Sequence, residues 1–381
     1  MIEANSLAVE LDPGKLVQLQ RQDPVFRKVA AALLDGRSFE NGEGDKELET
    51  FQSHFDPLSL NEAGIISWNA TDSYVVLPVI PRVLRRKLIV QCHEIAHTGC
   101  AKMYDLLRQR TYWPAMRSEV MDYVVSCKRC RLMKEDTTGA THPMERIPVS
   151  EIAELWSVDI MGPFPVTTSG NQYIVIMTEH LSRWIEAAAV PNQRATTISG
   201  LVMHHIVANH GVPNMILTDQ GPCFESKEFR NCLQKLRIRR LGTAPYHPQT
   251  NGLTEPNNRK IKEWLAAKGG DWEVNLPMVL LAHRAFIQPT TGKSPFMLMY
   301  GRHPRLPVDQ EIGLWPTTRL SPEELDEERR KARENLTTVQ KRTRQKTASR
   351  KARSFPIGAK VKWKDHQNPG RSGLGSRKLG S

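Results

Sequence analysis

Three carboxylates set the tightest limit on what this chain can fold into. Asp159 closes the apolar run in LWSVDIMG, and Asp219 stands just beyond a second run, Met215 to Leu217. Glu255 follows a loop rich in Pro, Gln, Asn and Gly. Between the first two acids lie 59 residues, and between the last two 35. An acid just past a buried strand is held rigidly and still faces solvent. Three acids on three separate elements can converge on one point, and hard divalent cations take oxygen ligands of this kind. Two such cations about 3.5–4 Å apart can clamp the attacking and leaving oxygens of a phosphodiester. The spacing thus suggests a metal-dependent phosphoryl-transfer site. Any one strand-end Asp, read alone, is equally a turn or cap residue.

The elements around the acids form an ordered series. Strands are expected at Leu155–Met161, Tyr173–Thr178, Trp184–Val190, Met215–Thr218 and Ile238–Gly242. The first three follow one another closely, as in an antiparallel meander. Helices are expected at Thr196–Asn209, Ser226–Leu236, Glu255–Ala267 and Trp272–Ile287. Upstream, His93 and His97 are four apart and would share one face of a helix. Cys127 and Cys130 form a C-x2-C knuckle, with 29 residues between His97 and Cys127. Two imidazoles and two thiolates satisfy tetrahedral zinc. Helical patterns at Ala101–Arg110 and Pro114–Val125 fill the interval, with Pro114 at a favourable first position. Cys92 and Cys100 fall outside the four-ligand pattern and read as buried or free thiols.

The text around these residues resembles retroviral and LTR-retrotransposon integrases, and more narrowly a gypsy-like retrotransposon integrase. The resemblance rests on H-x3-H-x29-C-x2-C, on TDQG at Asp219 and on HPQTNG-x-x-E at Glu255. It implies an α/β ribonuclease H-like catalytic core, a small helical zinc-binding domain before it, and a truncated SH3-like barrel after it. In that fold the first and fourth strands are neighbours, and a helix carries Glu255 over both Asp159 and Asp219. The implied cofactors are Mg²⁺ (or Mn²⁺) at the three acids and Zn²⁺ at His93, His97, Cys127 and Cys130. Gln249 and Asn251 fit the family's PQTNG loop, which touches DNA. Arg259 and Lys260 either track DNA ends or form an exposed helix face. Ser182–Trp184, the TGKSPF of 291–296 and the YGR of 300–302 fit further family positions; the last group, TGKSPF with YGR, also reads as a helix-terminating turn. Two residues depart from the pattern: Glu179 stands where Asp is usual, and Pro256 where Arg is usual. They leave open a non-catalytic nucleic-acid-binding protein derived from such an integrase.

Charge adds a partner class. The net charge is +12, yet residues 321–381 hold 17 Lys/Arg against 7 Asp/Glu, so the remainder is nearly balanced. Residues 341–364 carry ten bases and no acid, including Lys341, Arg342, Arg344 and Lys346. Such a segment fits a polyanion, nucleic acid first, or a nuclear-import patch; its bland reading is a solvated tail. The resemblance implies double-stranded DNA, as donor ends and target, and a homo-oligomer acting in the nucleus after cytoplasmic synthesis. No apolar run reaches the length of a membrane span, and six sparse cysteines fit a reducing compartment. The expected organisation is an amino-terminal extension with helix and hairpin (1–82), a zinc-binding domain (83–133), a linker (134–150) and the core (151–310). A charged helical linker (311–353) and an incomplete barrel (354–381) follow.

Overall fold

A computed structural model of the chain describes residues 13–36, 45–69, 76–132, 147, 149–242, 254–311, 318–348, 361–364 and 372–375. The amino-terminal part holds α1 (Pro13–Gln22), α2 (Pro24–Asp35) and α3 (Lys46–Ser53). A three-stranded antiparallel sheet follows: β1 (Leu58–Leu60), β2 (Ile66–Asn69) and β3 (Val76–Pro78). The hairpin expected over 64–80 is the pair β2–β3; residues 70–73 of its turn lie outside the described residues. Two more helices stand where one was expected. One of them, α3, begins inside the polar stretch GRSFENGEGDKE, because the Asp45 carboxylate accepts the Glu47 N–H and caps it.

Next come α4 (Arg82–Glu94), α5 (Cys100–Arg108), α6 (Met116–Ser126) and α7 (Lys128–Leu132). Pro114 does not open α6. Ala115 takes a left-handed φ of 59° and caps the helix, which starts at Met116.

The core contains β4 (Leu155–Met161), β5 (Tyr173–Glu179) and β6 (Ile185–Val190). Then α8 (Ala195–Leu201) runs through a π-helical segment, Val202–Val207, into α9 (Ala208–His210). There follow β7 (Met215–Thr218), α10 (Pro222–Glu225), α11 (Lys227–Lys235) and β8 (Arg239–Gly242). Helices α12 (Thr254–Lys268), α13 (Trp272–Ala285), α14 (Pro295–Tyr300), α15 (Pro307–Glu311) and α16 (Pro322–Ala348) complete this part. The TGKSPF stretch starts α14, with Ser294 capping it by accepting the Met297 N–H, and the YGR stretch ends it, with Gly301 at a left-handed φ of 64°. The last described pair, β9 (Val361–Lys364) and β10 (Ser372–Gly375), forms an antiparallel ladder where the barrel was expected.

The core sheet runs β6-β5-β4-β7-β8, with β4 antiparallel to β5 and parallel to β7. Alternation along a strand sends successive side chains to opposite faces. Val175 and Met177 of β5 therefore pack with Ile198, Val202 and Phe229 on one face. Ile174 and Ile176 pack on the other with Ile261, Trp264 and Val279. That second cluster continues into Leu88, Leu106 and Trp113 of the α4–α7 module, so packing crosses the boundary expected between two domains. Arg110 of the module and Asp309 of α15 reinforce the seam with a buried ion pair at 2.9 Å.

Candidate functional sites

The first site begins with strand register. Parallel pairing of Val158 with Thr218 makes the next residues, Asp159 and Asp219, neighbours at the carboxyl ends of β4 and β7. Ligands of open α/β sheets bind outside such strand ends. Asp159 Oδ1 accepts the Ile160 N–H at 2.9 Å, and Oδ2 accepts from Asn258 Nδ2 at 2.6 Å. Asp219 Oδ1 accepts the Gly221 N–H at 2.9 Å. A Cβ at Gly221 would lie 3.0 Å from that oxygen, so any larger residue there would press on the Asp219 carboxylate. The third acid, Glu255, is the second residue of α12, and Pro256 is the third. Proline is tolerated there because first-turn amides have no intrahelical partner. The Glu255 side chain lies outside what is described. Asn258 is three residues further on, hence on the same helix face.

Asn258 was not anticipated. The hydrogen bond that singles it out joins residues 99 apart and leaves no local signal in the sequence. Beside it, a groove of about 750 Å³ runs between Met161–Pro165 and α12, lined on the helix by Asn258, Arg259, Lys262 and Glu263. A larger open hollow of about 870 Å³, between α3, α4 and α6, contains none of the candidate acids or metal ligands.

Glu179, the first departure from the family pattern, is explained by its surroundings. It pairs with Trp156, whereas Asp159 pairs with Ile176, so it sits three residues back along the ladder. Its buried carboxylate accepts the Leu181 and Ser182 N–H groups and the Ser182 hydroxyl. Burial raises its pKa against those bonds. Glu179 organises the turn that leads to Trp184 and has no direct bearing on the acid pair.

The second site gathers His93, His97, Cys127 and Cys130, whose ligand atoms all lie within 4.8 Å of one another. They do not meet as expected. Helix α4 ends at Glu94, and His97 lies beyond it at a left-handed φ of 48°. The turn, rather than a shared helix face, brings the second imidazole round. Cys130 Sγ is 3.3 Å from His93 Nε2, and Cys127 Sγ is 3.6 Å from His97 Nδ1. Zinc bonds of about 2.3 Å to sulfur and 2.0–2.1 Å to nitrogen give tetrahedral S···N edges of about 3.5 Å, so the four atoms fit such an ion. Burial, then the neighbouring His97, hold His93 down to about 4. It is therefore neutral at physiological pH, the form that ligates. Cys92 is buried and Cys100 half-buried, both outside the group.

The remaining predicted residues divide. Arg259 is exposed and pairs with Glu263 at 3.7 Å. Lys260 is half-buried and lies near enough to Lys102 of α5 to depress it electrostatically. Lys341 and Arg342 are exposed on α16; Arg344 and Lys346 belong to the same helix. Gln249 and Asn251 lie outside the described residues.

Comparison with known proteins gives this arrangement a class. Residues 80–136 match the integrase zinc binding domain, and residues 150–248 match the integrase core domain. The chain is 28% identical over 252 residues to the Gag-Pol polyprotein of avian reticuloendotheliosis virus, covering 65% of this chain and 21% of that one. It is 29% identical over 229 residues to the Pro-Pol polyprotein of simian foamy virus type 3 (strain LK3), covering 58% and 19%. The chain thus spans about a fifth of the length of these relatives. Among solved structures, it resembles the catalytic core domain of BIV integrase at 23% identity and a TM-score of 0.33, covering 38% of this chain and 93% of that one. It also resembles a chain of a simian T-cell lymphotropic virus intasome in complex with PP2A regulatory subunit B56 gamma, at 19% identity and 0.41, covering 57% and 74%. The chain carries retroviral-type integrase domains: a zinc-binding module followed by a ribonuclease H-like core.

Proposed function

We propose that this chain is a DNA integrase, a divalent-metal-dependent polynucleotidyl transferase of a gypsy-like retroelement. It would trim retroelement DNA ends and join them to target DNA. The observation that carries the reading is the side-by-side placement of Asp159 and Asp219 at the ends of two parallel strands, inside a matched integrase core. Asp159, Asp219 and Glu255 are the residues that would hold Mg²⁺ or Mn²⁺. Bound there, divalent cations supply activation of water or a DNA 3′-hydroxyl and stabilisation of the leaving oxygen. Asn258, donating to Asp159 Oδ2, fixes the rotation of that carboxylate. The groove along α12, with Arg259 and Lys262 on its wall, suits a DNA strand entering beside the acids. Zinc at the histidine–cysteine group serves structure, since four protein ligands leave no open position.

Double-stranded DNA, a homo-oligomer that bridges two ends, and a nuclear site of action complete the proposal. The basic run of 341–364 supports the first and the last of these. Among the described residues, no helix is long and apolar enough to cross a membrane.

A second reading, a nucleic-acid-binding protein without catalysis, draws on Pro256. Incubation of the chain with a short donor duplex, target DNA and Mn²⁺ separates the readings. Joined products support the integrase. Trimming without joining indicates a nuclease of the same fold. DNA binding without any metal-dependent product favours the second reading.

A further inference from the structure

The metal knuckle and the helix that carries Glu255 are tied together at the far end of that helix. Arg129 stands between Cys127 and Cys130, and its Nη1 donates to the carbonyls of Lys268 at 3.2 Å and Ala267 at 3.4 Å. These are terminal carbonyls of α12, which have no intrahelical donor and carry the negative end of the helix dipole. In return, Lys268 Nζ donates to the Glu94 carbonyl at 3.1 Å. Glu94 is the residue after His93, at the end of α4. The two bonds cross between the same two places. One starts inside the Cys knuckle and ends on α12; the other starts on α12 and ends beside the first metal-binding histidine.

The rest of the seam is apolar packing and a buried ion pair away from the four ligands. Trp264 and Leu265 of α12 are buried in the cluster that also holds Leu106 and Trp113, and Arg110 binds Asp309 elsewhere. A metal held by Cys127 and Cys130 would fix the short knuckle between them, and from that knuckle Arg129 reaches the core. From Lys268 back to Glu255, α12 rises about 20 Å. A helix transmits small displacements along its axis, and Asn258 near its start holds Asp159.

We propose that Arg129 is a positioning residue: by capping α12 from within the zinc knuckle, it couples occupancy of the zinc site to the placement of Glu255 and Asn258 over Asp159 and Asp219. The inference rests on the assignment of those acids as the divalent-cation site. Metal occupancy at one site would then raise affinity at the other, and the effect would be reciprocal.

The test uses the full chain, loaded with zinc, and compares the parent with Arg129→Gln and Arg129→Lys. Zinc per chain, Mn²⁺ affinity and amide hydrogen exchange along α12 are measured on each. With zinc retained at the parental level, Arg129→Gln is expected to weaken Mn²⁺ binding by about three- to tenfold. It should also deprotect the last turn of α12, while Arg129→Lys restores both in large part. Equal Mn²⁺ affinity and equal exchange in the parent and Arg129→Gln would overturn the coupling. So would loss of zinc from Arg129→Gln, which would make Arg129 a support of the knuckle alone. If the parent binds no Mn²⁺ but α12 still loosens in Arg129→Gln, the cap stands and the cation site falls.

Discussion

Among single residues, Asp159 and Asp219 were legible because each lies at a short apolar run, the plainest strand signal, whereas Glu255 stands out only by its spacing and the loop before it. Asn258 was not legible, since a hydrogen bond between residues 99 apart has no local signature. Lys102 shows a second kind of blindness. In sequence it is one more lysine on an amphipathic helix. In the fold its ammonium is buried without a hydrogen-bond partner, 5.1 Å from the Trp264 ring centroid and 5.7 Å from that of Phe286. Burial, then Lys260, push its pKa from 10.5 down to about 7. Below that value Lys102 is charged in both the folded and unfolded chain, and the cost of burying it is felt in full. Between about 7 and 10.5 the unfolded chain binds more protons, so this group makes stability rise with pH. Lys102→Met should therefore stabilise the chain by roughly 1–3 kcal/mol near neutral pH and below. The gain should shrink as pH approaches the ordinary lysine value. Denaturant titrations at acidic and alkaline pH check this; a gain that grows with pH would contradict it.

At the scale of elements, β4 and β7 run over the residues expected, and helices α11, α12 and α13 lie within two residues of theirs. Long periodic patterns carry that much. The short helices α10, α14 and α15 and the start of α6 are set by caps and by packing, which periodicity does not register. The histidine–cysteine group comes together by a different route from the one expected. The four residues meet, but His97 arrives through a left-handed turn past the end of α4 rather than along it. Small modules of this kind derive folding energy from the metal. Zinc analysis of the full chain should find one ion per chain, and chelation should remove it. Amides of α6 and α7 should then lose protection from exchange while those of β4, β5 and β7 keep theirs. Unchanged protection in α6 and α7 without metal would show that the module holds itself together.

At the scale of the whole molecule, α16 links the core to the basic segment. Its first half is docked: Ala332 and Leu336 are buried, Arg329 donates to the Leu298 carbonyl at 3.0 Å, and Asn335 to that of Thr291 at 3.0 Å. Lys341 and Arg342 beyond are exposed. The docked half mixes acids with bases, whereas 341–364 carries bases alone. Removing 341–381 should weaken DNA binding and flatten its dependence on salt, since fewer phosphates are neutralised; an unchanged slope in a salt titration would move the DNA surface to the core. The central claim is narrower: Asp159, Asp219 and Glu255 act together. Pro256 bears on it, because proline disfavours helical geometry in the residue before it, and a ligand about 1 Å out of place can cost roughly a hundredfold in rate. The most direct measurement is strand transfer in Mn²⁺, with zinc present, by the parent, Asp159→Asn, Asp219→Asn, Glu255→Gln and Pro256→Arg, each with its thermal midpoint recorded. The parent should join weakly, Pro256→Arg more, and the three amide variants not at all, at unchanged stability. Parental joining by any amide variant, or none by both the parent and Pro256→Arg, would contradict the central claim.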